Sequence, residues 1–417
     1  MPGPVRVLSD ALVDQIAAGE VVERPASAVK ELVENALDAG ARRITVGVEG
    51  GGIARLEVAD DGSGMSPEDA RLALERHATS KIRSFEDLTS IGTMGFRGEA
   101  LPSIASVSRL VLTTSPDASG LGTEVVADRG APPRVSPSRH PKGTRVVVED
   151  LFGNVPARRK FQKSADAELR AVAKTVTALA LSRSDVAFTL RAGPRLLLDL
   201  PAADVRERFR EVLGLAVAAR PRDVDFAFGG MTLTGAVSSP ETTFPSRAHQ
   251  WFFVNGRAIR DATVTHAISL ATREVLRSDR HAAFALFLTC DPALCDVNVH
   301  PQKLEVRFRD PNAVHSLVHR GLVHALTGGK GAVAVEGDAF EEVAARYGAA
   351  RAGGARATTE ALLEAIAPGM SPSSYSLSEE NSSSSSFFSS SPLGDLRLLG
   401  QYRDSFLVAE GEEGLVL

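Results

Sequence analysis

Glu31 and Asn35 stand four residues apart in Lys30-Glu31-Leu32-Val33-Glu34-Asn35-Ala36-Leu37-Asp38-Ala39-Gly40, and that pair can do chemistry. Val29, Leu32, Val33, Ala36 and Leu37 fall at i, i+3, i+4, i+7 and i+8 around them. That spacing puts the apolar residues on one face of an α-helix, leaves Glu31, Glu34, Asn35 and Asp38 on the other, and lets Gly40 end it. Residues four apart on a helix are neighbours, so the two side chains project together. A carboxylate can take a proton from water, while a neutral carboxamide oxygen can ligate Mg²⁺ without adding charge. The plainer alternative is a solvated amphipathic helix, and this stretch alone does not decide.

Two further segments carry chemistry. Asp60-Asp61-Gly62-Ser63-Gly64-Met65 ends a strand: its glycines let backbone approach a flat ring, and a buried Asp60 carboxylate can accept from an exocyclic amine. The alternative is a turn whose aspartate caps the next helix. Gly92-Thr93-Met94-Gly95-Phe96-Arg97-Gly98 precedes a helix, and glycines there expose N–H groups that can cradle phosphate oxygens; a flexible connector is the alternative. His77-Ala78-Thr79-Ser80-Lys81 adds hydroxyl and ammonium donors just upstream. No Gly-x-x-x-x-Gly-Lys-Ser/Thr and no Gly-x-Gly-x-x-Gly after a strand occurs, so phosphate binding needs another device.

The elements that must position these residues follow from periodicity. Pro25 opens the central helix. Ile44, Val46 and Val48, then Gly50-Gly51-Gly52, then Leu56 and Val58 read as a β-hairpin running into Asp60. A helix is predicted from Pro67 to about His77 and another over 99–107, with strands at 110–114, 123–127 and 144–148 and a Pro-rich loop between the last two. A long helix over 165–182 and strands at 186–190 and 196–200 complete the first part. From 202 a helix, strands at 223–228, 231–237, 250–254 and 284–288, short segments at 297–299 and 305–308, and helices over 262–276 and 312–326 form a second part. Residues 371–391 are largely serine and 331–394 hold too little apolar surface to fold, so they read as a disordered linker. Alternating Phe406 and Val408 before Gly411-Glu412-Glu413-Gly414 read as an opening hairpin of a further domain.

The 417 residues allow two domains and a linker, and 43% hydrophobic with 24% charged residues is ordinary for soluble globular protein. A net charge of −5 supplies no global attraction to nucleic acid, so any DNA contact uses a local patch. Two cysteines, Cys290 and Cys295, exclude a disulfide scaffold and suit a reducing cytosol. No apolar run approaches a membrane span, and no signal-peptide pattern opens the chain. Cys290-x₄-Cys295-x₄-His300 lacks finger spacing and a fourth ligand, which favours structural cysteines over zinc.

Together these residues resemble the GHKL ATPases, the group of gyrase B, Hsp90, histidine kinases and the MutL mismatch-repair proteins, with the MutL family nearest. The resemblance runs through Gln15–Pro25, Lys30–Gly40, His77–Lys81, Gly95–Leu101, Asn154–Phe161 and Asp296-Val297-Asn298-Val299-His300-Pro301-x-Lys303, in family order across residues 1–326. It implies an α+β chain: a GHKL-type α/β sandwich ATPase domain over 1–201, a ribosomal-S5-like α/β domain over 202–330, the linker 331–394, and the start of an incomplete C-terminal dimerisation domain at 395–417. It implies ATP and Mg²⁺ as cofactors, with Glu31 as general base and Asn35 as metal ligand. Asp60 would recognise adenine beside Gly62 and Gly64, and Thr144 would lie at the same pocket. Thr79, Lys81, Gly92, Gly95, Phe96, Arg97 and Gly98 would form the lid, and Lys303 would reach the γ-phosphate.

The implied function is an ATP-driven switch that dimerises through a segment including 15–22 and couples mismatch recognition to strand removal. Its implied partners are DNA, a MutS-type protein, a second copy, and helicase or strand-nicking factors, in the cytoplasm near the nucleoid and away from membranes. Arg158, Arg159, Lys160 and Lys163, or Arg257 and Arg260, would touch DNA phosphates; a solvated basic surface is the alternative for each. A type II topoisomerase subunit would need a metal-binding Asp-x-Asp domain, and a histidine kinase a preceding phosphoacceptor helix; neither is evident. A DNA-binding adaptor insensitive to nucleotide is the reading from a different class. Most of the family's C-terminal dimerisation domain, in which some members carry a metal-binding endonuclease motif, is absent from these 417 residues, so the chain reads as truncated.

Overall fold

The computed structural model describes residues 22–75, 78–80, 98–214, 220–273, 275–276, 280–296 and 306–328, and the strands 397–402, 406–411 and 414–416. The apolar stripe opening at Pro25 forms α1 (Pro25–Asp38), with Val29, Leu32, Val33, Ala36 and Leu37 all buried. The valines and leucines among them each contribute roughly 1.5–3 kcal/mol, so packing, far more than any exposed ion pair of about 0–1 kcal/mol, holds the helix. β1 (Arg43–Glu49) and β2 (Arg55–Asp60) pair antiparallel, with Ile44 opposite Asp60. Their glycine turn is also a packing device. A Cβ on Gly51 would lie 2.7 Å from the Ala165 carbonyl oxygen, and one on Gly52 would lie 2.8 Å from Pro25 Cβ.

The chain continues through α2 (Pro67–Leu72), α3 (Ala100–Ser106), β3 (Arg109–Ser115), β4 (Leu121–Asp128), β5 (Arg134–Arg139), β6 (Gly143–Glu149), α4 (Pro156–Phe161), α5 (Ala165–Ser182), β7 (Ala187–Ala192) and β8 (Arg195–Leu200). The strands form one sheet in the order β5-β4-β3-β6-β2-β1-β7-β8. Every pairing is antiparallel except β1 with β7. α1 and α5 pack together, and the core they share with the sheet includes Val29, Ile44, Leu56, Leu110, Val148, Val176 and Phe188.

Two expectations are corrected. The helix from Pro67 ends at Leu72, short of His77: Ser66 caps its start, but Ala70 is its one buried residue, and Leu74 meets the core from the turn that follows. The Pro-rich stretch contains a strand, β5, with Pro137 opposite Thr123. It lies at the sheet edge and is mostly exposed, where proline's missing N–H costs nothing and alternation is not required.

The second part opens with α6 (Val205–Leu213), then β9 (Arg222–Phe228), β10 (Met231–Val237), β11 (Gln250–Val254), β12 (Arg257–Ala258), α7 (Ala262–Arg273), β13 (Phe284–Thr289), β14 (Cys295–Asp296), β15 (Arg307–Phe308) and α8 (Pro311–Thr327). Its five-stranded sheet runs β12-β11-β13-β10-β9, and α7 and α8 close a second core around Leu233, Leu286, Ile268 and Leu322. The short segment 297–299 lies outside the described residues.

A third cluster joins the two parts: Leu181 and Phe209 meet Ala236, Trp251, Phe253, Ala283 and Ala285. Beside it the fully buried Arg208 guanidinium donates to the carbonyls of Ala180 (2.6 Å), Ser184 (3.2 Å), Val186 (2.9 Å) and Pro201 (2.5 Å). One side chain thus ties α6 to the ends of α5 and β8 and the start of β7. Burial lowers its pKa, partly offset by Glu211.

Residues up to Gly337 make one compact unit, and those from Asp338 a second. The described part of the second is an antiparallel sheet of β16 (Arg397–Tyr402), β17 (Phe406–Gly411) and β18 (Gly414–Val416), with Gly411 and Gly414 paired across the expected turn. The linker 331–394 lies outside the described residues. No helix among the described residues is long and apolar enough to cross a membrane.

Candidate functional site

α1 is fixed at both ends. Arg24 stands at its N-cap, yet donates away from the helix: Nε and Nη2 reach Glu168 Oε2 at 3.0 and 2.8 Å. Glu168, on α5, is fully buried and also accepts the Lys163 N–H at 3.1 Å, so its charge is matched. At the other end the Ala39 carbonyl accepts the Ser63 N–H at 2.9 Å, which joins α1 to the loop after β2.

Glu31 and Asn35 are half-buried on the polar face of α1, and Glu34 beside them is buried. Lys30 Nζ lies 3.6 Å from Glu31 Oε1 and 3.0 Å from Glu34 Oε1. Burial by itself lowers the Lys30 pKa, but the Glu34 and Glu31 carboxylates outweigh it and hold the ammonium above its ordinary value.

The Asp60 loop supplies the floor. Asp60 Oδ1 accepts the Gly62 N–H at 2.9 Å, and the carboxylate also takes the backbone N–H of Thr144, its register partner on β6. Adjacent Asp61 does a different job: its Oδ1 accepts the N–H groups of Arg42 (2.7 Å) and Arg43 (2.8 Å), fixing the entry to β1. Gly62 leaves no room for a side chain, since its Cβ would meet the Ala39 oxygen and Asp60 Oδ1 at 2.9 Å. Gly64, at φ +65°, and Gly143, at φ +125°, are tighter: their Cβ atoms would lie 1.9 Å from the Ser115 oxygen and 2.0 Å from the Asp60 oxygen.

A hydroxyl pair completes the floor. Thr114 Oγ1, fully buried, accepts the Met65 N–H at 3.0 Å and donates to the Gly143 carbonyl at 3.0 Å. Thr114 has one proton, so Thr144 donates in the 3.0 Å contact between the two hydroxyls. The cluster of Asp60, Gly62, Gly64, Thr114, Gly143 and Thr144 thus gathers at one end of β2, β3 and β6, against the C-terminal end of α1.

Burial pushes the Asp60 carboxyl above the ordinary carboxylate range, the Asp61 charge adds to this, and the N–H groups of Gly62 and Thr144 oppose it. A carboxyl whose folded pKa exceeds its unfolded value near 3.9 favours folding fully only below that value. That contribution is lost as pH rises through the folded pKa, so ionised Asp60 destabilises the ligand-free fold at neutral pH. Asp60→Asn is therefore expected to raise the thermal midpoint at pH 7, on the order of 2–4 °C, and to leave it unchanged near pH 4. A lower midpoint at pH 7 in calorimetry would overturn this.

Thr79 and Gly98 lie at the two ends of the glycine-rich stretch, and these ends touch: a Cβ on Gly98, at φ +63°, would lie 2.3 Å from the Ala78 oxygen. Lys81, Gly92, Gly95, Phe96, Arg97, Lys303, His77 and the segment 15–21 lie outside the described residues. Sequence reading missed Thr114 and Gly143, which only strand pairing brings beside Thr144. Thr113-Thr114-Ser115, three small hydroxyl residues closing an apolar strand, was the available signal.

Elsewhere, Cys290 and Cys295 are free and buried, with sulfurs 3.7 Å apart. Burial and neighbouring Cys295 push the Cys290 thiol up to about 12. Arg159 is held by Asp150 at 2.5 Å, and Asp150 also takes Arg129 at 2.6 Å. Arg260 is exposed and close enough to Lys174 that, after burial, its charge lowers the Lys174 pKa. An open cavity of about 510 Å³ beside it is lined by Arg260, Asp261, Ala262, Thr265, His266, Ser269 and Arg273.

Two family models match the chain. One, described as histidine kinase-, DNA gyrase B- and HSP90-like ATPase, covers residues 23–126 and thus α1 and the Asp60 loop. The other, described as DNA mismatch repair protein, C-terminal domain, covers residues 209–327. The solved ATPase domain of Aquifex aeolicus MutL complexed with ADP superposes with a TM-score of 0.51 at 28% identity, covering 72% of this chain and 98% of that one. The DNA mismatch repair protein MutL of Anaeromyxobacter dehalogenans strain 2CP-C is 50% identical over 323 residues, 77% of this chain and 53% of that protein, so the chain spans about half that relative's length. A MutL from strain 2CP-1 of the same species is 43% identical over 447 residues, covering 99% of this chain and 72% of its own length. Identity of that extent, over an α+β fold with the Asp60 cluster set against α1, leads to one assignment: the chain belongs to the MutL family of DNA mismatch repair proteins.

Proposed function

We propose that this chain binds ATP on the Asp60 floor, hydrolyses it slowly with Mg²⁺, and uses the cycle as a switch in mismatch repair. The observation that carries the reading is the Asp60 cluster: a half-buried carboxylate and a threonine hydroxyl, among glycines that admit no Cβ, beside the helix of Glu31 and Asn35. The donor set fits the cofactor. Asp60 accepts from an exocyclic amine, Gly62 and Gly64 let the loop pack close against Ala39 and Ser115 and so hold that carboxylate in place, and the Asn35 carboxamide is a neutral oxygen ligand. Mg²⁺, when bound, shields phosphate charge. Glu31 takes the proton of the attacking water. Thr79, Lys81 and the stretch 92–98, with Phe96 and Arg97, cover the phosphates, and Lys303 pairs with the terminal one.

On this reading residues 1–201 and 202–330 act as two working domains, and ATP draws together two copies through the segment 15–22. The partners are a MutS-type protein, DNA held non-specifically in the cytoplasm, and strand-removal factors. Arg257 and Arg260 contact phosphates, supported by exposed Arg260 next to Lys174 and to a cavity also bearing Arg273 and His266. The test follows phosphate release and light scattering of the whole chain with ATP and Mg²⁺, then titrates duplex DNA at rising salt. Turnover, ATP-dependent association, and a steep salt slope flattened by removing charge at Arg257 and Arg260 are expected. DNA binding without turnover would favour the adaptor.

A further inference from the structure

We infer that Glu34 is a positioning residue for hydrolysis: it holds the Lys30 ammonium closer to itself than to Glu31 and so weakens the pairing that would tie up the base. The inference rests on Glu31 being that base. Lys30 stands between two acids on one helix, and the contacts are unequal. Its Nζ lies 3.0 Å from Glu34 Oε1 and 3.2 Å from Glu34 Oε2, but 3.6 Å from Glu31 Oε1. Helix geometry explains the preference. Glu34, at i+4, stacks on Lys30 one turn away, whereas Glu31, at i+1, leaves the axis in a divergent direction.

Burial reinforces it. The Glu34 side chain is 12% exposed against 28% for Glu31, so water screens the Glu34 charge less. The Lys30 side chain is 27% exposed and its ammonium keeps its charge. If Glu34 loses its charge, that ammonium, already 3.6 Å from Glu31 Oε1, closes on Glu31 through a small rotation of a flexible stem. A carboxylate paired with an ammonium gives up its pull on a water proton. Glu34 therefore sets how much of Lys30 the base feels, without touching substrate.

The experiment uses charge removal and its reversal. Glu34→Gln keeps the shape and removes the charge; kcat is expected to fall about tenfold, within the span general-base catalysis commands. Affinity for a non-hydrolysable ATP analogue, by calorimetry, stays within about twofold, because no binding group has changed. Lys30→Met with Glu34→Gln removes the ammonium as well, and kcat returns to within about threefold of the parent. A structural role for Glu34 gives the opposite, a double variant at least as slow as the single and a lower thermal midpoint. The inference fails if Glu34→Gln leaves kcat unchanged or if the double variant gains nothing over it. Glu31→Ala, assayed alongside, separates the two readings. Retained turnover there removes the base itself, whereas lost turnover without rescue removes only the role of Glu34.

Discussion

Glu31→Ala is expected to stop turnover while ATP still binds. A general base contributes roughly 10²–10⁴-fold to a proton transfer, so its loss leaves a rate near the limit of detection if turnover is slow, as proposed. The rest of the site stays in place. Alanine favours helix more than glutamate does, and the buried stripe of Val29, Leu32, Val33, Ala36 and Leu37 is untouched, so α1 keeps its position. Asp60 is held by the Gly62 N–H and Thr144 by Thr114, so the groups proposed to hold the adenine keep these partners. The lost Lys30 contact, 3.6 Å long and partly exposed, is minor beside the stronger Glu34 pairing. Single-turnover phosphate release should therefore fall at least a hundredfold while calorimetry reports ATP affinity within about threefold of the parent. Normal turnover would remove Glu31 from the chemistry, and lost binding would make it a structural or phosphate-side residue.

What could be read in the sequence was whatever a single segment settles for itself. α1 carries its apolar stripe, its proline and its terminal glycine within sixteen residues of chain, 25–40, and the structure returns it where periodicity placed it. The β1–β2 hairpin and α5 are equally local. β5 was illegible because an edge strand needs neither an apolar alternation nor a proline-free run, and the short α2 because a good cap marks where a helix starts and not where it ends. The floor was half legible. Asp60, Gly62 and Gly64 stand in one motif, but Thr114 and Gly143 reach them through pairings between β3, β6 and β2 that no spacing encodes. Arg208 left no signal either: one of three arginines in a charged helix looks solvated until the carbonyls of Ala180, Val186 and Pro201 converge on it.

Gly64→Ala is expected to have the second large effect, and its size follows from two separable causes. The first is conformational. Gly64 sits at φ +65°, where a Cβ costs roughly 1–2 kcal/mol. Gly130, at φ +83° with nothing within 4 Å of its Cβ, isolates that cause, so Gly130→Ala should lower the thermal midpoint only by about 2–6 °C. The second is steric. At Gly64 the added Cβ would stand 1.9 Å from the Ser115 carbonyl oxygen and 2.5 Å from its carbon, distances that force the backbone to move. Ser115 cannot yield easily: it ends β3, is fully buried, pairs with Gly143, and its hydroxyl donates to the Leu121 carbonyl at 2.7 Å. The Asp60 loop must give way instead. Overpacking adds about 1–3 kcal/mol to the strain. The displacement also pulls the Met65 N–H from Thr114 Oγ1, which orients the Thr114–Thr144 pair beside Asp60. Gly64→Ala should therefore lose both several degrees of stability beyond Gly130→Ala and at least tenfold in ADP affinity, measured below the variant's own melting range. ADP affinity equal to the parent's, with the midpoint lowered as expected, would place the adenine somewhere other than this floor.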